Sequence, residues 1–203
     1  MNEKDARFKN RITIILIILI FVAPLAGSWL LLNFTDIAGI RGKDNHGELI
    51  NPPRPLPNIK LIDPLSEANK GQLHGKWSML YIAGSSCDQV CIENLYRMRQ
   101  IRLATGKHYK RVQRVLLMQQ GNATGLAQIF RDYSGQMLMT TDNINMQEFM
   151  DNFRFDQTEI PAQKHRIYLI DPLGNLMMRY SPDTNPSGII KDLNRLLRTS
   201  RIG

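Results

Sequence analysis

Two cysteines in 203 residues leave room for one thiol pair, so any disulfide, redox or soft-metal chemistry at sulfur has a single place to occur. The chain has no P-loop, no Gly-x-Ser-x-Gly elbow and no His-Glu-x-x-His helix. Those absences remove the phosphate cradle of P-loop enzymes, the exposed nucleophile of α/β-hydrolases and the paired imidazoles of zinc proteases. There is no internal repeat, and one proline-rich stretch is the only biased tract. Acidic residues are the scarcer charge, 18 Asp and Glu against 26 Lys and Arg, for a formal net charge of +8. No nucleic-acid motif accompanies that excess, so nucleic acid is not an expected partner.

What the chain has in quantity is a long apolar run. Residues 12–34 carry no charge, and a bilayer core takes about 20 such residues as a helix. The run reads as a membrane span. Lys4, Arg7, Lys9 and Arg11 precede it, and positive charge beside a span stays on the cytoplasmic side, which puts residues 1–11 inside and everything after the span outside. Trp29 suits an interfacial anchor near the far end. A cleaved signal peptide would share the basic start and the small residues at 23–28, but the apolar run continues through Trp29-Leu30-Leu31-Leu32, past any cleavage point. No polar face interrupts the run, which argues against a buried core helix. A bacterial inner membrane, with the soluble part in the periplasm, is expected over a mitochondrial one, because an Arg- and Ser-rich amphipathic leader is missing.

Residues 35–60 are rich in Gly, Asn and Pro, with Asn51-Pro52-Pro53-Arg54-Pro55-Leu56-Pro57 favouring extended polyproline geometry. They read as a semi-rigid spacer. Residues 61–203 then have the size of one ordinary domain. Within it, 79–83 is a buried strand, 84–86 a turn, and 87 to about 103 a helix. Residues 112–118 form a buried strand, and 124–133 and 146–153 form helices. A strand at 167–170 turns through Asp171-Pro172-Leu173-Gly174-Asn175 into its hairpin partner at 176–180. Residues 185–198 close the chain as an amphipathic helix with Ile189, Ile190, Leu193, Leu196 and Leu197 on its apolar face. That order is the order of a thioredoxin-like α/β domain.

The two cysteines, Cys87 and Cys91, stand four apart where the first of these strands gives way to its helix. Residues one helical turn apart share a face, with a Cα separation of about 6 Å that a disulfide or one soft metal ion can bridge. Free cysteine is often simply buried. Against that, a thiol at a helix start has its thiolate favoured by unpaired N–H groups, and a compartment beyond the inner membrane is oxidising.

Gly75-Lys76-Trp77, Leu80-Tyr81 and Cys87-Asp88-Gln89-Val90-Cys91, followed downstream by Tyr168-Leu169-Ile170-Asp171-Pro172-Leu173-Gly174, resemble the Sco/SenC family of membrane-anchored, thioredoxin-fold cytochrome c oxidase assembly proteins. The resemblance covers most of the chain, anchor included, and is divergent. It implies a Cys-x-x-x-Cys copper site at Cys87 and Cys91, with Asp88 where the family carries Pro and Val90 kept. The family's third ligand, a His five residues before the strand aromatic, falls on Gln163 here, and His165 two residues later is the candidate in its place. Met118-Gln119-Gln120-Gly121 stand where the family has an acidic Asp-Pro segment. The implied partner is a cytochrome c oxidase subunit or another oxidase assembly factor.

Two thiolates and an imidazole suit copper, and soft sulfur ligands select Cu(I). Three functions fit: an oxidase assembly factor that delivers copper or reduces the cysteines of a copper site; a general periplasmic thiol-disulfide oxidoreductase, with Cys87 attacking and Cys91 resolving; and a non-catalytic accessory protein with a structural disulfide. The three-residue spacer departs from the Cys-x-x-Cys redox motif. Met137, Met139, Met146 and Met150 offer soft ligands but read as core filling, and His46, His74 and His108 read as solvent-exposed. The basic run Arg97, Arg99, Arg102, Lys107, Lys110, Arg111 and Arg114 reads as a solvated helix face, or as a surface for anionic lipid or an acidic partner. Alkaline phosphatase fused after Gly203 is expected to be active in a bacterial host; inactivity of an intact fusion would overturn this topology.

Overall fold

The computed structural model describes residues 3–34, 45–63, 65–66, 68–118, 126–139 and 145–202. The chain falls into two compact units, Met1–Asp44 and Asn45–Gly203. The first contains helix α1 (Glu3–Phe34), with Pro24 inside it. Arg11–Leu30 is long and apolar enough to cross a membrane by length and composition, and none of it is buried. Proline is tolerated in such helices.

The second unit is built on one sheet. Its strands are β1 (Glu48–Pro55), β2 (Lys60–Ile62), β3 (Asn69–Gln72), β4 (Trp77–Ala83), β5 (Val112–Met118), β6 (Gln136–Met139), β7 (Ile167–Ile170) and β8 (Asn175–Tyr180). They lie in the order β1-β8-β7-β4-β5-β6-β2-β3. β4, β5 and β6 run parallel; β7 joins β4 antiparallel, and β8 and β1 follow antiparallel in turn. Helices α2 (Gln89–Ala104), α3 (Ala127–Asp132), α4 (Met146–Asp151) and α5 (Pro186–Thr199) complete the described helices. This is a mixed α/β, thioredoxin-like arrangement carrying an N-terminal candidate membrane helix.

Every residue of β4 and of β5 is buried. Strands covered on both faces read as continuous apolar runs, which is why these two were visible in the sequence. On one face Trp77, Met79 and Tyr81 of β4 pack with Leu95, Met98 and Ile101 of α2 and with Ile189, Leu193 and Leu197 of α5. On the other, Leu80 and Ile82 pack with Val115, Tyr168, Phe149 and Phe153. The β7–β8 turn needs Gly174, which sits at φ 90, where a side chain would be strained. Asp171 Oδ1 closes the turn by accepting the amides of Leu173 at 2.9 Å and Asn175 at 2.8 Å.

The expected element bounds shift where caps decide them. α2 starts at Gln89 because Asp88 caps it, and α5 starts at Pro186 because the Asn185 side chain accepts the Ser187 amide at 2.9 Å. α3 is shorter than the expected 124–133, of which Thr124 and Gly125 lie outside the described residues. α4 ends at Asp151 instead of Phe153. β2, β3 and β6 are three or four residues long, too short to carry a period of their own.

The proline-rich stretch differs from the expected spacer. Residues 35–44 of that spacer lie outside the described residues, but Glu48–Pro55 is a strand, paired to β8 with an irregularity between Leu49 and Arg54. Proline lacks the ladder donor and is confined to edge strands and bulges; β1 is the edge, and Pro52 and Pro53 fall in its irregular stretch. The start of the second unit is clipped to α5 by Asp192. Its carboxylate accepts the amides of His46 at 2.8 Å and Gly47 at 2.9 Å and lies 3.1 Å from His46 Nδ1, while 2 % of the residue is exposed. Removing a buried acceptor strands its donors at about 1–3 kcal/mol. Asp192→Ala is therefore expected to lower unfolding stability in urea by that amount, and Asp192→Asn by less; an unchanged midpoint in both would refute the clip.

Candidate functional site

β4 ends at Ala83, and the chain crosses Gly84, Ser85 and Ser86 before reaching Cys87, Asp88 and α2. Asp88 is the N-cap, in extended conformation at φ −77 and ψ −175, and its Oδ1 accepts the Cys91 amide at 2.9 Å. Cys87 and Cys91 form a disulfide with Cα atoms 5.1 Å apart, inside the usual range. The bridge thus spans the helix cap. Cys87 precedes the cap in non-helical backbone, where a full helical turn had been expected, because Asp88 takes the capping role and delays the helix by two residues. Cys91 is buried and Cys87 half-buried, so of the two sulfurs Cys87 is the one a partner can reach.

Asp88 also answers the sequence departure at that position. Proline there would supply no acceptor for an orphan helix amide; aspartate does. The same carboxylate places negative charge beside the sulfurs, opposing the thiolate that the helix N-terminus favours.

His165 ends the 3-10 turn Pro161–Lys164 and adopts the left-handed conformation, φ 48 and ψ 32. Its Nδ1 lies 2.8 Å from the Tyr81 hydroxyl. Tyr81 stands on β4 in the core cluster that includes Cys91 and against which Cys87 packs. Burial pushes the Tyr81 phenol far above its ordinary range, the Asp88 charge adds to that, and a hydrogen bond with Asn94 works the other way. The phenol therefore keeps its proton and can donate it to Nδ1, leaving Nε2 as the N–H of a neutral ring; in the other tautomer Nδ1–H donates to the phenol oxygen and Nε2 is free to accept or ligate. Asn94, itself buried, donates to the Val90 carbonyl at 2.9 Å. Among the described residues, no three His, Cys, Asp or Glu gather into a group able to hold a metal ion.

Tyr81 enters the sequence reading only as part of the family resemblance, with no role of its own, and Asn94 not at all. A tyrosine in a buried strand reads as core, and only its partner distinguishes it. Gln163 is exposed. Met139 and Met150 are buried in the core and Met137 and Met146 pack against it, so these methionines fill space. His46 is exposed and His74 and His108 half-buried, and His46 is engaged by Asp192. Arg114 departs from the expected solvated face: 1 % of it is exposed, because it lies on the fully covered strand β5.

Residues 77–200 match the family model described as transmembrane-like, thioredoxin-like, C-terminal domain. The chain belongs to that family. No curated protein matches it. Among solved structures, the domain resembles copper-bound Sco1 of yeast, with a TM-score of 0.56 and 15 % identity over 73 % of this chain and 95 % of that one. It also resembles BsSco, described as a member of the Sco family of cytochrome c oxidase assembly proteins with a disulfide switch, at 0.53 and 12 % over 73 % and 96 %. A thiol:disulfide interchange protein from Bacteroides sp. matches at 0.50 and 13 % over 73 % and 91 %. At these identities the likeness establishes the thioredoxin-like fold.

Asparagine caps helices as well as aspartate does, so Asp88→Asn removes the charge and keeps the cap. The reduced variant is expected to react faster with iodoacetamide at Cys87 near neutral pH than the parent, without loss of helix content; an equal or slower rate would overturn the electrostatic role given to Asp88.

Proposed function

We propose that this protein is a membrane-anchored, thioredoxin-like assembly factor for a copper-containing oxidase, in which Cys87 and Cys91 deliver copper or reduce the cysteines of a copper site. The observation that carries the reading is the pair itself: one half-buried and one buried sulfur, joined across a helix cap, on a core cluster that also holds Tyr81, the hydrogen-bond partner of His165. The topology of the basic start and the apolar span supports an anchor at 12–34 in a bacterial inner membrane, with the domain in the periplasm and an oxidase subunit or another assembly factor as partner. The fold shared with Sco proteins, some of them solved with copper bound, supports the same direction.

As a reductant, the reduced pair acts in two steps. The Cys87 thiolate attacks one sulfur of a partner disulfide, forming a mixed disulfide and releasing the partner's other sulfur as thiolate. Cys91, deprotonated, then attacks Cys87; the Cys87–Cys91 disulfide forms, the mixed bond breaks, and the partner leaves as a dithiol with two electrons and, in water, two protons gained. As a carrier, the same two thiolates take Cu(I) as cargo; Cys87, Cys91 and His165 do not gather into a three-ligand group in the disulfide form, so His165 Nε2 becomes a third ligand only if its side chain moves toward the sulfurs with its proton on Nδ1. A general thiol-disulfide oxidoreductase would use the first chemistry alone, and an accessory scaffold neither.

The reduced full chain in detergent, titrated with Cu(I), is expected to bind one equivalent. Cys87→Ser should abolish stoichiometric binding and His165→Ala should weaken it by about 10- to 100-fold, as losses around metal sites do. Absence of stoichiometric binding removes the carrier. Cys91→Ser then decides between the others, since a reductant accumulates a mixed disulfide with its partner in cells and a scaffold does not.

A further inference from the structure

The end of the domain remote from the cysteines is dominated by one sign of charge. The cysteine turn follows the C-terminal end of β4, whereas the C-terminal ends of α2 and α5 and the 3-10 turn Gly106–Arg111 gather where the parallel strand β5 begins. Arg102 Nε donates to the Val112 carbonyl at 2.6 Å. The Arg111 guanidinium donates to the carbonyls of Leu197 at 2.6 Å, Ser200 at 2.9 Å and Ile202 at 2.8 Å. No acidic residue occurs from 94 to 131 or from 193 to 203, so both segments that meet here are purely basic. Lys107, Lys110, Arg198 and Arg201 are exposed on this end.

Two further features set the patch apart from a solvated face. Its cations crowd one another: His108 is held below its ordinary pKa by partial desolvation and by Lys107, Arg111 and Arg198. Arg114 behind them is lowered to about 10, by burial first and then by Arg102 and Arg99. Arg114 donates to the carbonyls of Tyr133 and Ser134 and has no carboxylate partner among the described residues. In addition, apolar side chains stand out among the charges. Leu103 is 49 % exposed, Tyr109 38 % and Ile202 53 %, and the Tyr109 ring lies 5.1 Å from the Arg102 guanidinium and 6.0 Å from Lys110 Nζ.

Basic side chains interspersed with exposed aromatic and aliphatic tips are the composition of surfaces that lie on anionic bilayers. We propose that this basic end of the domain docks on the anionic headgroups of the membrane that α1 spans, with Leu103, Tyr109 and Ile202 entering the headgroup layer. Charge complementarity selects the occupant, and the apolar tips favour lipid over an acidic protein surface. The tether adds to this: a domain fixed to a bilayer meets it at high effective concentration, so weak contacts are populated. β5 spans seven residues, about 20 Å at strand rise, and that length separates the docking end from the cysteine turn. Docking therefore holds Cys87 away from the bilayer, facing the extramembrane part of a partner. The inference requires the anchor and is independent of copper.

The test uses the oxidised full chain carrying Trp29→Phe and Tyr109→Trp, reconstituted in vesicles with brominated lipid; Trp77 is buried and gives a constant background. In vesicles containing phosphatidylglycerol the introduced tryptophan should shift to the blue and be quenched. In pure phosphatidylcholine, in high salt, and in a further variant with Lys107→Glu, Lys110→Glu and Arg198→Glu, both effects should be lost. Water-like, unquenched emission in the anionic vesicles overturns the proposal and leaves an acidic protein as the occupant. Equal quenching in both lipids overturns it as well, since insertion would then not depend on charge. If the triple reversal fails to fold, neutral Lys107→Gln with Lys110→Gln should weaken the quenching in the same direction.

Discussion

Complete burial of β4 is the constraint from which the rest of the domain follows. A strand covered on both faces by apolar layers, paired to β5 along its whole length and to β7 from Ser78 to Tyr81, cannot slide, because a shift of one residue would exchange its two faces. The point at which the chain leaves the sheet after Ala83 is thereby set. A short turn follows, and Asp88 begins α2 at once. The disulfide sits on that junction, so its position is inherited from the most rigid element of the fold.

The same burial supplies the polar part of the site. Tyr81 points to the α2 face of the sheet, where a hydroxyl must find partners. It finds His165 Nδ1 at 2.8 Å. His165 is held in a left-handed conformation after a 3-10 turn, a backbone state that a non-glycine residue keeps only when its surroundings determine it. A residue of the β7 approach and a residue of the β4 exit are thus linked through the core, which couples the histidine to the strand that carries the cysteine turn.

Much of this was legible in the residues. β4, β5, β7, the hairpin turn and the terminal helix each carry a periodic or turn signal, and the structure has them within a residue or two; the apolar run lies in a helix that begins earlier, at Glu3. The cysteine pair and its place between strand and helix were equally plain. β2, β3 and β6 were hidden because three or four residues set no period, and β1 because Pro52 and Pro53 argue for an extended spacer until an edge accepts them. Arg114 reads two ways in the sequence, as part of the basic run and as part of the buried strand 112–118, and the strand reading is the one the structure has.

Local sequence by itself determined an apolar run long enough to cross a membrane, the central strands and the chemistry available at sulfur, since hydropathy and period are properties of neighbours in the chain. Tertiary structure alone decided that Tyr81 meets His165 across 84 residues, that Asp192 clips His46 and Gly47, and that the ends of α2 and α5 join into one basic surface. Those contacts depend on which strands lie side by side, and that order is settled by the packing of both sheet faces together.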